Sequence, residues 1–377
     1  MQCRNAHFKR GIGDRPNRWE PAMDAESRLQ DLRFGLATRV AADASDVHQE
    51  MVDMILSFWV SQTIRTIAAL SLADHLATDG VTAEEIASRE GSAVDTTFRV
   101  LRAGVALDLM TADADGRFYG TERLATLRKD APRSLRPMAI SLTDPAHWQS
   151  WAELASSVRS GHSHTGAAAG SDIDTYLALN PQAAEEFNAA MSSATSMWSC
   201  NLANVIDTTK VRRVVDIGGG NGTLVRVLQQ ANPALQAVVF DRPAVVEWAR
   251  ADIARYGFPD RTYVVGGDFF ESVPSGDLYL LKFILHNWGD QQCIEILRRC
   301  REAALPGARI AILEFVVGDV ATPGRMAALS DIAMLALLGG RERCLDEFDS
   351  LLTAAGLRRT AVRPTTPPQS VIEAIVV

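Results

Sequence analysis

The sequence predicts an α/β protein in which a mostly α-helical N-terminal part precedes a doubly wound sheet. Short apolar runs alternate with helical patterns after Val211, the first run ends in the glycine-rich stretch GGGNG, and apolar residues before it recur mainly at helical spacing. Strands that alternate with helices form a parallel sheet, whose ligands bind beyond the carboxyl ends of the strands. We therefore expect a ligand site at that edge of the sheet.

Length and composition indicate a globular protein of two domains. The chain has 377 residues, of which 47% are hydrophobic and 22% charged, and its formal net charge is -8. This acidic balance argues against nucleic acid as a partner, and no run approaches the ~18 apolar residues of a membrane-spanning helix. Five widely spaced cysteines without a CxxC pair indicate reduced thiols and no zinc cluster, so we expect a cytoplasmic protein without a metal site.

Three segments follow from these patterns. The start of the chain is polar and lacks the apolar core of a secretory signal, so we expect a flexible leader over residues 1–45. Residues 46–200 are predicted to form a helical domain, interrupted by a loop from Gly161 to Ser171. Residues 201–377 are predicted to form the sheet domain.

The start of the helical domain has the outline of a winged helix. One long helix is predicted from Asp46 to Leu76, then a capping box at Thr82 and Glu85, a further helix, and an Asp-Gly turn like a small β-wing. Residues 81–128 contain six Arg and eight Asp or Glu, whereas DNA binding needs clustered positive charge. The composition therefore favours a scaffold or dimerisation role.

Six apolar runs are the predicted strands of the sheet domain. Glycines after the first run let backbone N–H groups approach a ligand closely. Gly218 and Gly220 fit a dinucleotide fingerprint, but the fingerprint is not met because Thr223 stands where its third glycine belongs. The glycine turn alone still leaves a dinucleotide enzyme as an alternative. The runs are RRVVDIGGG, LQAVVFD, RTYVVGGDFF, DLYLLKFIL, ARIAILEFVV and SVIEAIVV.

Chemically distinctive side chains follow the ends of the predicted strands. Asp241 ends the second strand, where an acid accepts hydrogen bonds from ribose hydroxyls. Asp268 and Phe269 follow the third and can hold an adenine amino group and pack against its face. The fourth strand contains Lys282 and ends at His286. A strand covered on both faces would hold that imidazole rigidly at the ligand edge.

These motifs, in this order, resemble those of class I S-adenosylmethionine-dependent O-methyltransferases of the plant phenylpropanoid and flavonoid type and of the bacterial polyketide-tailoring type. The resemblance extends from about residue 46 to the end of the chain. It implies a Rossmann-like domain that binds S-adenosyl-L-methionine and a winged-helix-like domain whose N-terminal helices join two copies into a homodimer. It also implies a hydroxylated small molecule as acceptor and a role in secondary metabolism.

The resemblance assigns roles to individual residues. His286 falls on the catalytic base and Glu314 and Glu342 on its flanking carboxylates, whereas Asn287 stands where the family often has an acid. The implied acceptor-binding residues are Met191, Asp331 and Met334. The implied cofactor-binding residues are Gly218, Gly220, Asp241, Gly267, Asp268, Phe269, Lys282 and Thr195.

The implied mechanism is base-assisted methyl transfer. A phenol with a pKa of ~10 is mostly neutral at pH 7, so an imidazole that takes its proton accelerates the reaction by ~10²–10⁴-fold. Other interpretations stay open: His286 caps a strand, Glu314 faces solvent, or Glu342 pairs on the surface with Arg341 and Arg343. The fold could also serve C- or N-methylation, hydroxylation or decarboxylation, or a ligand-sensing winged-helix regulator.

Overall fold

The computed structural model describes residues 46–76, 79–164, 176–177 and 179–377. The predicted flexible leader, residues 1–45, lies outside this part of the chain. Among the described helices, none combines the length and the apolar character needed to cross a membrane.

The N-terminal elements follow the predicted winged-helix outline. The first helix ends before Ser71, which has a left-handed φ of 50°, so it is shorter than predicted. The predicted capping box is present: the Thr82 hydroxyl accepts the N–H of Glu85, whose carboxylate accepts the N–H of Thr82. The chain divides into two units after Val60. The elements are α1 (Val47–Ala69), α2 (Leu72–His75), α3 (Ala83–Glu90), α4 (Val94–Ala106) and the antiparallel pair β1 (Met110–Ala112) and β2 (Phe118–Gly120).

Further helices precede the sheet, as predicted for this stretch. Three of them carry proline in the first turn, where its fixed φ suits the helix and no N–H partner is lost. The elements are α5 (Glu122–Ala125), α6 (Arg136–Ser141), α7 (Pro145–Ala152), α8 (Leu154–Ser160), α9 (Pro181–Trp198) and α10 (Leu202–Val205). The longest, α9, packs mainly against α6.

The C-terminal part is built on one seven-stranded sheet. Its strands are β3 (Arg213–Ile217), β4 (Gln236–Asp241), β5 (Thr262–Gly266), β6 (Gly276–Lys282), β7 (Ala304–Phe315), β8 (Leu357–Pro364) and β9 (Gln369–Val376). The order is β5-β4-β3-β6-β7-β9-β8, and β9 alone runs antiparallel to its neighbours β7 and β8. The predicted doubly wound α/β fold is confirmed. The sequence misses β8 and the antiparallel edge because LRRTAVRP is a largely exposed edge strand with no apolar run.

Side chains of β6 alternate between two apolar clusters. Leu278 and Leu280 join one, and Tyr279 and Leu281 join the other, so the strand is covered on both faces as predicted. It ends at Lys282, however, and the prediction that it runs to His286 is wrong. The covering helices are α11 (Thr223–Ala231) and α12 (Pro243–Tyr256) on one face and α13 (Asp290–Ala303) and α15 (Leu345–Ala354) on the other, with α14 (Arg325–Leu337) between β7 and α15 in the chain.

Candidate active site

The chain turns sharply between β6 and His286. Phe283 has a left-handed φ of 55°, which a non-glycine residue adopts only where its surroundings enforce it, and a 3-10 turn, Leu285–Asn287, follows. Glu314, fully buried in β7, accepts the backbone N–H groups of residues 284–286 on Oε1, at 3.1, 3.0 and 3.4 Å. A carboxylate inside the sheet therefore holds the turn that carries the imidazole.

His286 lies against two buried carboxylates. Its Nδ1 is 2.9 Å from Oε1 of Glu342 and 3.5 Å from Oε2 of Glu314, and both glutamate side chains are 0% exposed against 11% for the imidazole. Because an ionised carboxylate only accepts, Nδ1 carries the hydrogen of the Glu342 bond, and in the neutral ring Nε2 keeps a lone pair. The sequence left open that Glu314 faces solvent and that Glu342 forms an ion pair on the surface. Both interpretations are therefore wrong.

The charges of this cluster favour a protonated ring. Burial disfavours the imidazolium, but the Glu314 carboxylate and the hydrogen bond to Glu342 outweigh it, so the pKa of His286 lies above its ordinary value. Burial raises the pKa of Glu314 against the opposing charge of His286, and Glu342 raises it further. Positive charge that develops on the ring is thus stabilised by its neighbours.

A buried guanidinium clamps the same turn from the other side. Arg343, 1% exposed, donates to the carbonyls of Leu285 and Trp288 at 3.0 and 2.8 Å and to Oδ1 of Asp290 at 2.8 Å. Its ion-pair partner is therefore Asp290 and not Glu342. The sequence does not reveal this role, because the charged run around Arg343 gives no sign that the residue is buried.

Helix α14 contacts Glu342 twice. Ser330 Oγ donates to Oε1 of Glu342 at 2.7 Å, and Oδ1 of Asp331 accepts the Glu342 backbone N–H at 2.9 Å. Asp331, predicted to bind the acceptor, thus has one oxygen engaged by the chain, and its acceptor role stays a prediction. Ser330 is not identified from the sequence, since a serine within a helical pattern carries no signal of a distant partner.

Aromatic rings surround the imidazole. Phe283 stacks on His286 with centroids 5.2 Å apart, while Trp198 of α9 and Phe315 of β7 meet the Phe283 ring edge-on at 5.8 and 4.8 Å. The Asn287 amide donates to the Phe283 carbonyl at 3.2 Å, a bond that a carboxylate in its place could not make. Asn287 therefore supports the left-handed residue on which the imidazole stacks.

The turn after β3 requires glycine, for its backbone conformation at two positions and for space at Gly218. Gly218 and Gly220 have φ values of 66° and 54°, and a Cβ on Gly218 would lie 2.4 Å from Cδ1 of Ile284. The Gly220 N–H donates to Oδ2 of Asp241 at 2.8 Å. The predicted ribose acid and the glycine turn therefore meet where β3 and β4 end, the position at which this fold binds nucleosides.

A buried acid and a lysine lie close to this turn. Oδ2 of Asp216 is buried with no hydrogen-bond partner among the described residues. Burial raises the pKa of Asp216 to about 8, although the charge of Lys282 opposes the rise. Burial lowers the pKa of Lys282 to about 8, although Asp216 and Glu314 oppose the fall. Burial therefore moves the pKa of each group well away from its ordinary value, upward for Asp216 and downward for Lys282.

The predicted adenine residues lie after β5. Asp268 accepts the N–H of Phe270 at 2.8 Å, and the Phe269 ring meets those of Phe270 and Trp288 at 4.9 and 6.0 Å. Trp288 is thus a packing residue. A Cβ on Gly267 would lie 2.6 Å from an aromatic carbon of β4, so the chain requires glycine there.

The contacts of the predicted ligand-binding residues on α9 and α14 say little about their roles. The Thr195 hydroxyl donates to the Met191 carbonyl within α9 at 2.9 Å. Met191 and Met334 are partly buried. Their roles toward cofactor and acceptor stay predictions.

The donor sets indicate which groups the site fits. A tight glycine turn, a strand-end acid, the unpartnered Asp216 oxygen and the Lys282 ammonium suit a ligand with a nucleoside, an ammonium and a carboxylate, as S-adenosylmethionine has. His286, Glu314 and Glu342 offer ligand atoms within 4.8 Å of one another, the one such group found in the described part of the chain. Those three residues already make the hydrogen bonds described above.

A doubly wound sheet with this glycine turn and imidazole cluster defines the class of S-adenosylmethionine-dependent methyltransferases. The chain matches the family model of the O-methyltransferase domain over residues 151–358 and that of the O-methyltransferase dimerisation domain over residues 52–128. It therefore belongs to the O-methyltransferase family, and S-adenosylmethionine is its cofactor.

Three known proteins illustrate the relationship. The phenazine O-methyltransferase PhzM of Lysobacter antibioticus is 34% identical over 334 residues, 88% of this chain and 97% of that protein. The 8-amino-8-demethylriboflavin N,N-dimethyltransferase of Streptomyces davaonensis is 30% identical and covers 88% and 94%. The structure of NcsB1 from neocarzinostatin biosynthesis, solved with S-adenosylmethionine and 2-hydroxy-5-methyl naphthoic acid, has a TM-score of 0.72 at 31% identity and covers 84% and 96%.

Proposed function

We propose that this O-methyltransferase methylates a hydroxyl of an aromatic or polyketide-like small molecule in secondary metabolism, with His286 as the base. The observation that supports this most directly is the pairing of His286 Nδ1 with Glu342 at 2.9 Å. In the neutral ring, that pairing leaves Nε2 free of a hydrogen and able to accept one. A hydroxyl gains most from a base, because the neutral oxygen is a weak nucleophile.

Each residue around His286 has a separate task in this proposal. Glu342 fixes the tautomer, and Glu314 holds the turn and adds negative charge. Phe283 fixes the plane of the imidazole by stacking on it. As Nε2 takes the proton of the acceptor hydroxyl, the two carboxylates stabilise the imidazolium.

The cofactor residues divide by chemistry. When bound, S-adenosylmethionine supplies a methyl group already activated on a sulfonium. In this proposal the glycine turn and Asp241 hold the ribose, and Asp268 and Phe269 hold the adenine. Lys282 and Asp216 complement the carboxylate and the ammonium of the amino-acid part.

The acceptor class follows from the relatives. PhzM is named for phenazine, and NcsB1 was solved with a hydroxylated naphthoic acid. Both are fused aromatic systems. We therefore infer a fused, hydroxylated aromatic acceptor for this chain.

Replacing His286 by Ala tests the base. We expect kcat to fall by ~10²–10⁴-fold on a panel of hydroxylated naphthoic acids and phenazines, with unchanged affinity for S-adenosylhomocysteine by calorimetry. His48→Ala, which removes a histidine that is 90% exposed, is the control and should leave kcat unchanged. An undiminished rate in His286→Ala would remove the imidazole from the mechanism.

Methylation of nitrogen is the second candidate, because one relative is an N,N-dimethyltransferase. An aromatic amine is already neutral at pH 7 and needs less help from a base. N-methylated product by NMR, together with a loss of less than tenfold in His286→Ala, would favour this alternative over the O-methyl proposal.

We also infer a homodimer formed through the N-terminal helices. The match to the dimerisation domain supports it, as does the exposed apolar surface of α1, where Met54, Ile55 and Trp59 are 59%, 61% and 58% exposed. Light scattering should give a dimer for the parent and a monomer for the double variant Ile55→Lys, Trp59→Lys. Val320→Lys, at a fully exposed valine, should remain dimeric; a monomeric parent would end this inference.

A further inference from the structure

The two flanking glutamates are anchored by different parts of the chain. Oε1 of Glu314 is held by three backbone N–H groups of the turn itself. Oε1 of Glu342 instead receives two side-chain donors, the ring nitrogen of His286 at 2.9 Å and the hydroxyl of Ser330 at 2.7 Å. The orientation of Glu342 therefore depends on α14.

Glu342 needs such an anchor. It lies outside the regular helices and strands, and a glutamate side chain has three rotatable bonds that burial alone does not fix. Asp331 holds its backbone N–H, and Ser330, the preceding residue of α14, holds its carboxylate. Two adjacent residues of one helix thus hold the backbone N–H and one carboxylate oxygen of Glu342.

We propose that Ser330 is a positioning residue of the methyl-transfer site: its hydroxyl holds the carboxylate of Glu342 against Nδ1 of His286 and sets how strongly that carboxylate attracts the ring proton. The proposal rests on the proposed function, in which His286 is the base. Met334, predicted to contact the acceptor, lies four residues further along α14 and therefore on the same helix face. One face of α14 would then serve both the base and the acceptor.

The sign of the Ser330 effect follows from its dipole. A hydroxyl that donates to Glu342 points its positive end at the carboxylate and withdraws charge from the bond to His286. Without it, the carboxylate attracts the ring proton more strongly, so the pKa of His286 rises. The charged groups that face the imidazole are Glu314 of β7, Glu342, and Lys282 of β6, and Ser330→Ala changes none of them.

Histidine NMR titration of Ser330→Ala tests this directly. The His286 resonance, identified by its loss in His286→Ala, should titrate about 0.5–1 pH unit higher than in the parent. The acid limb of kcat/KM should move up by the same amount, with kcat reduced about 3–10-fold and KM nearly unchanged. Ser330→Thr keeps the hydroxyl and should restore both values.

Ser350→Ala is the matched control, because that exposed hydroxyl bonds only a carbonyl of its own helix at 2.9 Å. It should change neither the titration nor the rate. An unshifted His286 titration in Ser330→Ala, or the same shift in Ser350→Ala, would overturn the proposal.

Combining Ser330→Ala with His286→Ala separates this proposal from the base mechanism. If Ser330 acts through the imidazole, it has no further effect on kcat once His286 is absent. An equal loss in both backgrounds would show that Ser330 acts elsewhere. Full activity of His286→Ala alone would remove the base mechanism, whereas the NMR titration would still decide whether Ser330 sets the His286–Glu342 pair.

Discussion

Two clusters of ionisable groups lie at the carboxyl edge of the sheet and are held in different ways. Around His286, Oε1 of Glu314 accepts three backbone N–H groups and Oε1 of Glu342 receives a hydroxyl and the ring N–H. Around Lys282, Oδ2 of Asp216 is buried without a hydrogen-bond partner among the described residues. The chain thus supplies several donors to one oxygen of each glutamate, although Oε2 of Glu314 and Oε2 of Glu342 are also buried without a partner among the described residues.

The difference indicates which cluster is preorganised and which awaits a ligand. A buried charge with several donors is fixed in place before any substrate arrives, which is what a base requires. A buried acid without donors is costly, and the cost falls when a charged ligand supplies the missing partner. The hydrogen bonds around His286 therefore contribute to the stability of the folded chain. The acid at Asp216 is instead stabilised when a ligand binds to it.

Replacing Glu314 by Ala should give the largest effect. The three backbone N–H groups of the turn would lose their acceptor inside the core, which we expect to lower the free energy of unfolding by about 3 kcal/mol. Glu314→Gln keeps an oxygen in place and should cost less than half as much. Urea denaturation measures both, and equal stability of the Ala variant and the parent would contradict the view that the chain itself holds this cluster.

The sequence predicts some parts of the fold and the site more accurately than others. The glycine turn and the Asp241 position follow from local patterns, since a strand, a turn and a helix are contiguous in the chain. The place of His286 was predicted less accurately, because the left-handed Phe283 that bends the chain away from β6 has no signature in a phenylalanine.

The residues that escaped prediction are those with distant partners. Ser330 contacts Glu342 twelve residues away, and Arg343 contacts Leu285 fifty-eight residues away. Side-chain type alone does not reveal such pairs, because either residue would look the same on a solvated surface. Strand β8 was missed for a related reason: exposed arginines interrupt the apolar pattern that marks a strand.

Asp216→Asn should give the next largest effect, with the opposite sign. The pKa of Asp216 is raised by folding to about 8, so between pH 4 and pH 8 the folded chain holds a proton that the unfolded chain has lost. Asp216 therefore costs stability progressively as pH rises through that window. Relative to the parent, Asp216→Asn should become more stable by on the order of 2 kcal/mol from pH 5 to pH 8.

Urea denaturation at several pH values checks this dependence. The exposed Asp260→Asn is the control and should show no such trend. If the difference between Asp216→Asn and the parent stays constant with pH, Asp216 is not the strained acid of the open cluster.

Gly218→Ala should weaken cofactor binding by about tenfold, or about 1.4 kcal/mol. Its Cβ would meet Ile284 at 2.4 Å and push the glycine turn toward the space left for the ligand. Gly307→Ala is the matched control, since Gly307 also has a positive φ, of 81°, but nothing lies within 4 Å of its Cβ. Calorimetry with S-adenosylhomocysteine should separate the two; equal affinities would place the cofactor away from this turn.

Dialysis against EDTA should give the smallest effect, with methyl transfer unchanged. His286, Glu314 and Glu342 offer a nitrogen and two carboxylates within 4.8 Å of one another, a set that a divalent ion could bind. A metal on Nδ1 would displace the hydrogen shared with Glu342 and force it onto Nε2, the atom that must accept the acceptor proton. Base catalysis and a metal on this nitrogen are therefore incompatible. Activity lost in EDTA and regained with Mg²⁺ or Zn²⁺ would assign the cluster to a metal and make the hydrogen bonds around His286 an arrangement of the metal-free protein. Unchanged activity supports a base that the chain alone prepares.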